Sequence, residues 1–239
     1  MPASMPRKTP GKLPSPPGTE AFARLPLKPL CRPVAGVFHR LHARHPATGQ
    51  PRDPIFFSRR GASRFDPTDG VGTLYLADSL AGAVLEMFGD RLEPLGSPGR
   101  GLSRPMLRDW FATLVAVPRV TLFEASGPNL SKLGVDLQLL AGDHAPARLW
   151  ALRLMHHPAQ IGGIRYPSRH DDTRRNVALF ERPGLLPAAA EATLTPPAGG
   201  RSSFAARATG PLLYGPAVCL GEHPELPDAL ARLEVALLP

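Results

Sequence analysis

The sequence predicts an α+β fold. Short apolar strands and amphipathic helical stretches are both present, they do not follow one another as regular βαβ units, and no segment repeats. With 239 residues, 43% of them hydrophobic, the chain is long enough to bury a sizeable core, as one large domain or two small ones.

Residues 1–33 stand apart. Nine of the 30 prolines fall there, with six Lys and Arg against the single acid Glu20, so this segment holds +5 of the formal net charge of +8. Pro-rich, basic and poor in aromatics, it predicts a disordered tail, because burial of its few apolar groups does not offset the ordering entropy. Little excess charge is left for residues 34–239, which argues against nucleic acid as the main partner despite the basic composition. No apolar stretch after Arg7 and Lys8 has the length of a secretory signal, and none elsewhere reaches membrane-spanning length. Cys31 and Cys219 are far apart and outside any CxxC pattern, so neither a disulfide framework nor a zinc site is expected, and the expected setting is a reducing cytoplasm.

After this segment, alternating apolar residues predict a strand at Val37 to Leu41. A short apolar run, "PIFF", and a Gly-, Ser-, Asp- and Pro-rich loop from Ser58 to Gly72 lead to a compact strand, "TLYLA". The helix "DSLAGAVLEMFGD" follows at once, with Asp78 or Ser79 as its N-cap and an apolar stripe of Leu80, Ala83, Val84 and Met87. "ATLVAVPRVTLFEA" reads as one long or two short strands. "DHAPARLWALRLMHH" reads as a helix with Leu149, Leu152 and His156 on one side. "GGIRYPSRHDDTRRNVALF" reads as a loop followed by the strand "NVALF". Residues 184–210 read as a surface excursion, and "LPDALARLEVALL" as a final helix.

Several motifs suggest chemistry without carrying it. "SRHDD" sets Ser168, His170 and Asp171 close in sequence, but triad members meet through tertiary structure, and no GxSxG elbow is present. His156 and His157 lack i, i+4 spacing and a further metal-ligand set, so no metal site is expected. "GASRFDPTDGVG" matches neither the Walker nor the dinucleotide fingerprint. Read singly, Arg64 is a loop cation, Tyr75 a strand aromatic and Glu86 a helix-surface carboxylate with Gly82 and Ser79 on its side of the helix. A glycine beside Glu86 leaves open whether the carboxylate faces water or lines a cavity with room for a ligand.

Their order, however, resembles the RES-domain family. Its first block is an Arg-aromatic-Asn loop, a strand ending in Tyr-Leu-Ala or Tyr-Leu-Ser, and a helix carrying a glutamate. Arg64-Phe65-Asp66, Tyr75-Leu76-Ala77 and Glu86 follow that order. The later block, a glycine, a Tyr-Pro-Ser segment and an Asn-leading strand, corresponds to "GGIRYPSRHDDTRRNVALF" with Ser168 and Asn176. "VFHRL" places Arg40 where an earlier aromatic-Arg strand is typical. The resemblance spans about 35–182. Phe65 stands where Trp is common and Asp66 where Asn is common, so Asp66 is expected to bring negative charge to a phosphate-holding loop.

The resemblance implies a single domain over 34–239 with a C-terminal extension, built on the twisted, split β core of ADP-ribosyltransferases and diphtheria toxin. It implies a toxin of a bacterial toxin–antitoxin system that breaks the nicotinamide–ribose bond of NAD as glycohydrolase or phosphorylase. NAD is then a consumed substrate, with no resident cofactor. Glu86, Arg64 and Ser168 are the implied catalytic residues, and Tyr75, Arg40 and Asn176 the implied substrate-binding ones. Glu86 would stabilise an oxocarbenium-like ribose, Arg64 and Arg40 the pyrophosphate, and Tyr75 the pyridinium ring. The implied partner is a helix-turn-helix-type antitoxin, with nucleic acid contacted only through it and no membrane involved. The alternatives are ADP-ribosylation of a protein and a non-enzymatic basic binding module.

Overall fold

The computed structural model describes residues 12–182, 190–194 and 211–239. The chain runs through α1 (Thr19–Ala23), β1 (Cys31–Ala43), β2 (Thr73–Ala77), α2 (Leu80–Phe88), β3 (Gly101–Ser103), α3 (Arg104–Arg108) and β4 (Trp110–Glu124). It continues through α4 (Pro128–Leu133), α5 (Gln138–Ala141), α6 (His144–Met155), β5 (Gly163–Pro167) and β6 (Arg175–Phe180). The last elements are β7 (Ala190–Glu191), β8 (Leu213–Tyr214), β9 (Val218–Cys219), α7 (Leu226–Arg232) and β10 (Ala236–Leu238). This is a mixed α+β fold with one large mixed sheet and flanking helices, as the absence of βαβ alternation predicts.

The strand order β1-β2-β6-β5-β4 closes on itself, because β4 also pairs with β1 along almost its whole length. Closure encloses an apolar interior of Phe38, Leu74, Leu76, Val115, Val177 and Leu179, which are alternate residues of their strands. The seam is uneven. β1 and β2 meet at one register pair, His39 opposite Ala77, and β4 and β5 at two. The β1–β4 register shifts between Val34 and Gly36, beside Pro118, which has no N–H to give a ladder.

Two apolar clusters cover the outside. One joins α2, α3 and α7 to Leu41, Ala77 and Ala112. The other joins α4, α5 and α6 to Phe65, Ile164, Ala178 and Phe180. Leu13, Phe22, Leu27 and Leu30 belong to the second cluster, so residues 12–33 are not a disordered tail; residues 1–11 lie outside the described residues. Phe22 is 1% exposed, its ring lies edge-on to Trp150 and His157, and Trp150 Nε1 donates to Pro14 O. Composition averaged over the segment masked four apolar residues spaced to reach one groove.

Other sequence expectations need correction. The buried face of α6 is Ala147, Trp150, Ala151, Leu154 and Met155, while Leu149 and His156 are exposed. His157 is buried in the core, with its ring against Leu25 O and Ala159 N. "GGIRYPSRHDDTRRNVALF" carries two strands, β5 and β6, paired as an antiparallel hairpin. The last helix stops at Arg232, and Ala236–Leu238 pairs in parallel with β3. The 184–210 excursion falls outside the described residues except for 190–194, which include β7.

Candidate active site

Sheet register builds the floor of the site. His39, Ala77, Asn176 and Tyr166 lie side by side across β1, β2, β6 and β5, so their side chains share one face. Above this row runs α2. Ser79 caps it by accepting from Gly82 N, and Asp78 fastens it to β6 by accepting from Arg175 N. Its Glu86 therefore stands over Asn176 and the loop after β5. Asn176 Nδ2 donates to Glu86 Oε2 at 2.8 Å, and Ser168 Oγ donates to the same oxygen at 3.4 Å. Ser168 and Asn176 are 3% and 1% exposed, whereas Glu86 itself is exposed to the open cleft beside it.

That cleft is about 820 Å³, within the ordinary range for a small-molecule site. It lies where the two outer clusters meet, walled by Trp110 and Met87 on one side and by Leu140 and His144 on the other. Arg40, Arg64, Tyr75 and Glu86 all line it. Its lining carries Arg40, Arg52, Arg60, Arg64 and Arg169 against Asp53 and Glu86, so the cleft favours an anionic ligand. Arg40 Nη1 donates to Tyr75 O at 3.0 Å, and burial lowers its pKa to about 10, still charged at neutral pH. Arg64 donates to Gly142 O; burial, then neighbouring Arg169, lowers its pKa. Excess positive charge held this way is relieved by a bound anion.

Asp66 does not face the ligand. It is wholly buried under the Arg64 loop, accepting from Tyr75 Oη at 3.0 Å and from Ser63 N at 3.1 Å. Tyr75 Oη in turn accepts from Phe65 N at 2.9 Å. The carboxylate thus anchors the loop that presents Arg64, and the expected electrostatic penalty to a phosphate site gives way to an internal clamp. Burial, followed by Asp66, raises the Tyr75 pKa. Gly82 also has another role than opening space beside Glu86: a Cβ there would lie 3.1 Å from Ser79 Oγ and 3.4 Å from Arg174 Cδ. The glycine admits Arg174, whose Nη1 donates to Ser79 Oγ at 2.8 Å.

The structure brings all six sequence candidates to one locality, with Arg40, Arg64, Tyr75 and Glu86 in the cleft wall and Ser168 and Asn176 behind Glu86. Sequence reasoning missed Tyr166, which is buried beside Glu86, lines the cleft and meets Phe65 edge-on at 5.0 Å. Burial and then the Glu86 charge raise its pKa, keeping the phenol protonated. Its place two residues before Ser168, in alternation with it, was the available signal. "SRHDD" forms no triad: Ser168 Oγ donates to Glu86, and His170 faces Asp90.

A profile of the RES domain matches residues 37–198, more than half of the chain. The chain belongs to the RES-domain family. Among solved structures, a chain of the M. tuberculosis MbcT–MbcA toxin–antitoxin complex is similar at 16% identity with a TM-score of 0.48, over 64% of this chain and 81% of that one. No curated protein matches significantly. The RES match begins inside β1, so α1 and the buried Phe22 precede it, while β8, β9, α7 and β10 follow it. α7 packs on α2, so this RES protein braces the Glu86 helix with residues outside the family match. Among the described residues no helix is long and apolar enough to cross a membrane, and no group of three His, Cys, Asp or Glu is arranged to hold a metal.

Proposed function

We propose that this RES protein is a toxin of a toxin–antitoxin system that consumes NAD by breaking the bond between nicotinamide and its ribose. The observation that carries the reading is Glu86, a carboxylate fixed by Asn176 and Ser168 in the wall of an arginine-rich cleft of about 820 Å³. In this scheme the C1′–N1 bond breaks, and its electron pair leaves with the pyridinium nitrogen, giving neutral nicotinamide. The Glu86 carboxylate stabilises the oxocarbenium-like ribose that remains. Arg64, Arg40 and Arg169 hold the pyrophosphate, and the Tyr75 and Tyr166 rings bound the nicotinamide end. Water or phosphate then attacks C1′, and the proton it loses passes to solvent. NAD is the consumed substrate, with no resident cofactor required.

The remaining expectations belong to the same reading: an ADP-ribosyltransferase-like core, a helix-turn-helix-type antitoxin as partner, a cytoplasmic setting, and a catalytic domain that takes in residues 12–33 as well as those after them. The closed, unevenly seamed sheet is compatible with a split core. Purified protein is expected to release nicotinamide from NAD, measured by chromatography with and without phosphate. Glu86→Ala and Arg64→Ala are each expected to lower turnover at least about 10²-fold. Intact NAD in every condition, with no toxicity on expression, refutes the proposal. Label passing from NAD to a cellular protein moves it to ADP-ribosylation.

A further inference from the structure

A second, smaller cavity opens beside the cleft. It measures about 50 Å³ and shares Arg40, Leu41, Tyr75, Glu86, Met87 and Tyr166 with it. The rest of its wall is His39, Leu76, Ala77, Ala83 and Asn176, so it sits between α2 and the row of sheet residues beneath Glu86. It lies at the weak seam where β1 and β2 share one register pair, which Arg40 bridges by donating to Tyr75 O.

Three polar atoms of these lining residues are buried with no hydrogen-bond partner among the described residues: Asn176 Oδ1, Arg40 Nε and His39 Nδ1. An orphaned buried polar atom costs about 1–3 kcal/mol, so three at one cavity call for a ligand. Its chemistry is constrained. Asn176 Nδ2 donates to the Glu86 carboxylate, which fixes Oδ1 as the acceptor turned elsewhere. Arg40 Nε–H only donates. The ligand must therefore donate to Asn176 and accept from Arg40. A fully deprotonated anion cannot donate, and any anion meets the Glu86 charge; a cation cannot accept and meets the guanidinium. Water does both, and His39 can serve as donor or acceptor according to its tautomer. One water needs roughly 10–15 Å³ of such space and two to four polar partners, and the cavity supplies both.

We propose that this side pocket is a structural water site that ties Arg40 and His39 to Asn176, and through Asn176 fixes the Glu86 carboxylate. Its catalytic consequence rests on the reading of Glu86 as the reactive carboxylate; the site itself does not. Asn176 and His39 then become positioning residues, and Arg40 serves the cleft and the water together.

A crystal structure of the full chain without NAD is expected to show ordered water within hydrogen-bond distance of Asn176 Oδ1 and Arg40 Nε. Ala83→Val adds two methyl groups to the pocket wall, one turn before Glu86, and is expected to displace it. In a crystal structure of this variant the Asn176 Nδ2–Glu86 hydrogen bond should then be lost. Turnover of NAD should fall at least about tenfold with KM within about twofold. Ala83→Ser, whose hydroxyl can take over the water's hydrogen bonds, is expected to keep more of the activity. A dry pocket or an anion in it overturns the proposal, as does displaced water that leaves the Asn176–Glu86 hydrogen bond in place. If the wild type leaves NAD intact, the crystallographic results still decide the water site, so the two readings fail separately.

Discussion

Tyr75→Phe isolates the clamp beneath the Arg64 loop. The substitution keeps the ring in the cleft wall and removes only the hydroxyl, which donates to Asp66 and accepts from Phe65 N. Asp66 is wholly buried and would retain Ser63 N as its remaining side-chain partner, so the lost bond is one to a desolvated carboxylate. Such a bond contributes about 1.5–3 kcal/mol, and an orphaned backbone N–H costs about 1–3 kcal/mol. The combined loss, about 3–5 kcal/mol, corresponds to a fall in Tm on the order of 10 °C for a chain of this size. Calorimetry at neutral pH measures it. Because Arg64 lies within the clamped segment, between Ser63 and Phe65, KM for NAD is also expected to rise. Asp66→Asn, which keeps an acceptor for Tyr75 and removes the buried charge, should cost less, under about 2 kcal/mol. A Tyr75→Phe protein melting within about 2 °C of wild type would refute the reasoning, since it would mean that Asp66 draws little support from this hydroxyl.

Three further outcomes follow from packing and protonation. Phe22→Ala should lower stability by about 3–5 kcal/mol in chemical denaturation, because the ring is buried against Trp150 and His157; a disordered segment would give no change. Gly163→Ala should cost about 3 kcal/mol or more in the same assay, because a Cβ there would lie 2.2 Å from the Ala178 carbonyl oxygen and only backbone movement relieves it. Burial holds His39 and His42 neutral, lowering each pKa from 6.5 to about 4. A depressed folded pKa means that this stability is fully present above pH 6.5 and is lost as pH falls toward 4, up to about 3 kcal/mol per histidine. Melting curves between pH 7 and 4 should show that loss, and replacing both histidines by glutamine should flatten it.

Local pattern made much of this protein legible. Ser79 reads as a helix cap because its hydroxyl replaces a missing helical hydrogen bond, and it caps α2. "TLYLA" and "NVALF" read as strands from β-propensity alone, and they pair with each other. The order of Arg64, Tyr75, Glu86, Ser168 and Asn176 led to the family, and all five converge with Arg40 on one locality.

What the chain order could not contain was which groups neutralise one another. Asn176 reaches Glu86 across 90 residues, and Ser168 across 82, because the β2–β6–β5 register sets them under α2. Asp66 looked like a misplaced surface charge; its burial is possible only because Tyr75 and the Ser63 backbone meet it there. Residues 12–33 looked too polar to order, until the groove around Trp150 is there to receive Phe22. The sequence alone determined the fold class, the strands and helix around Glu86 and the family, which depend on neighbours within a few residues. Only the tertiary structure decided burial, partner and protonation, because those are set by groups that distant segments bring within hydrogen-bond reach.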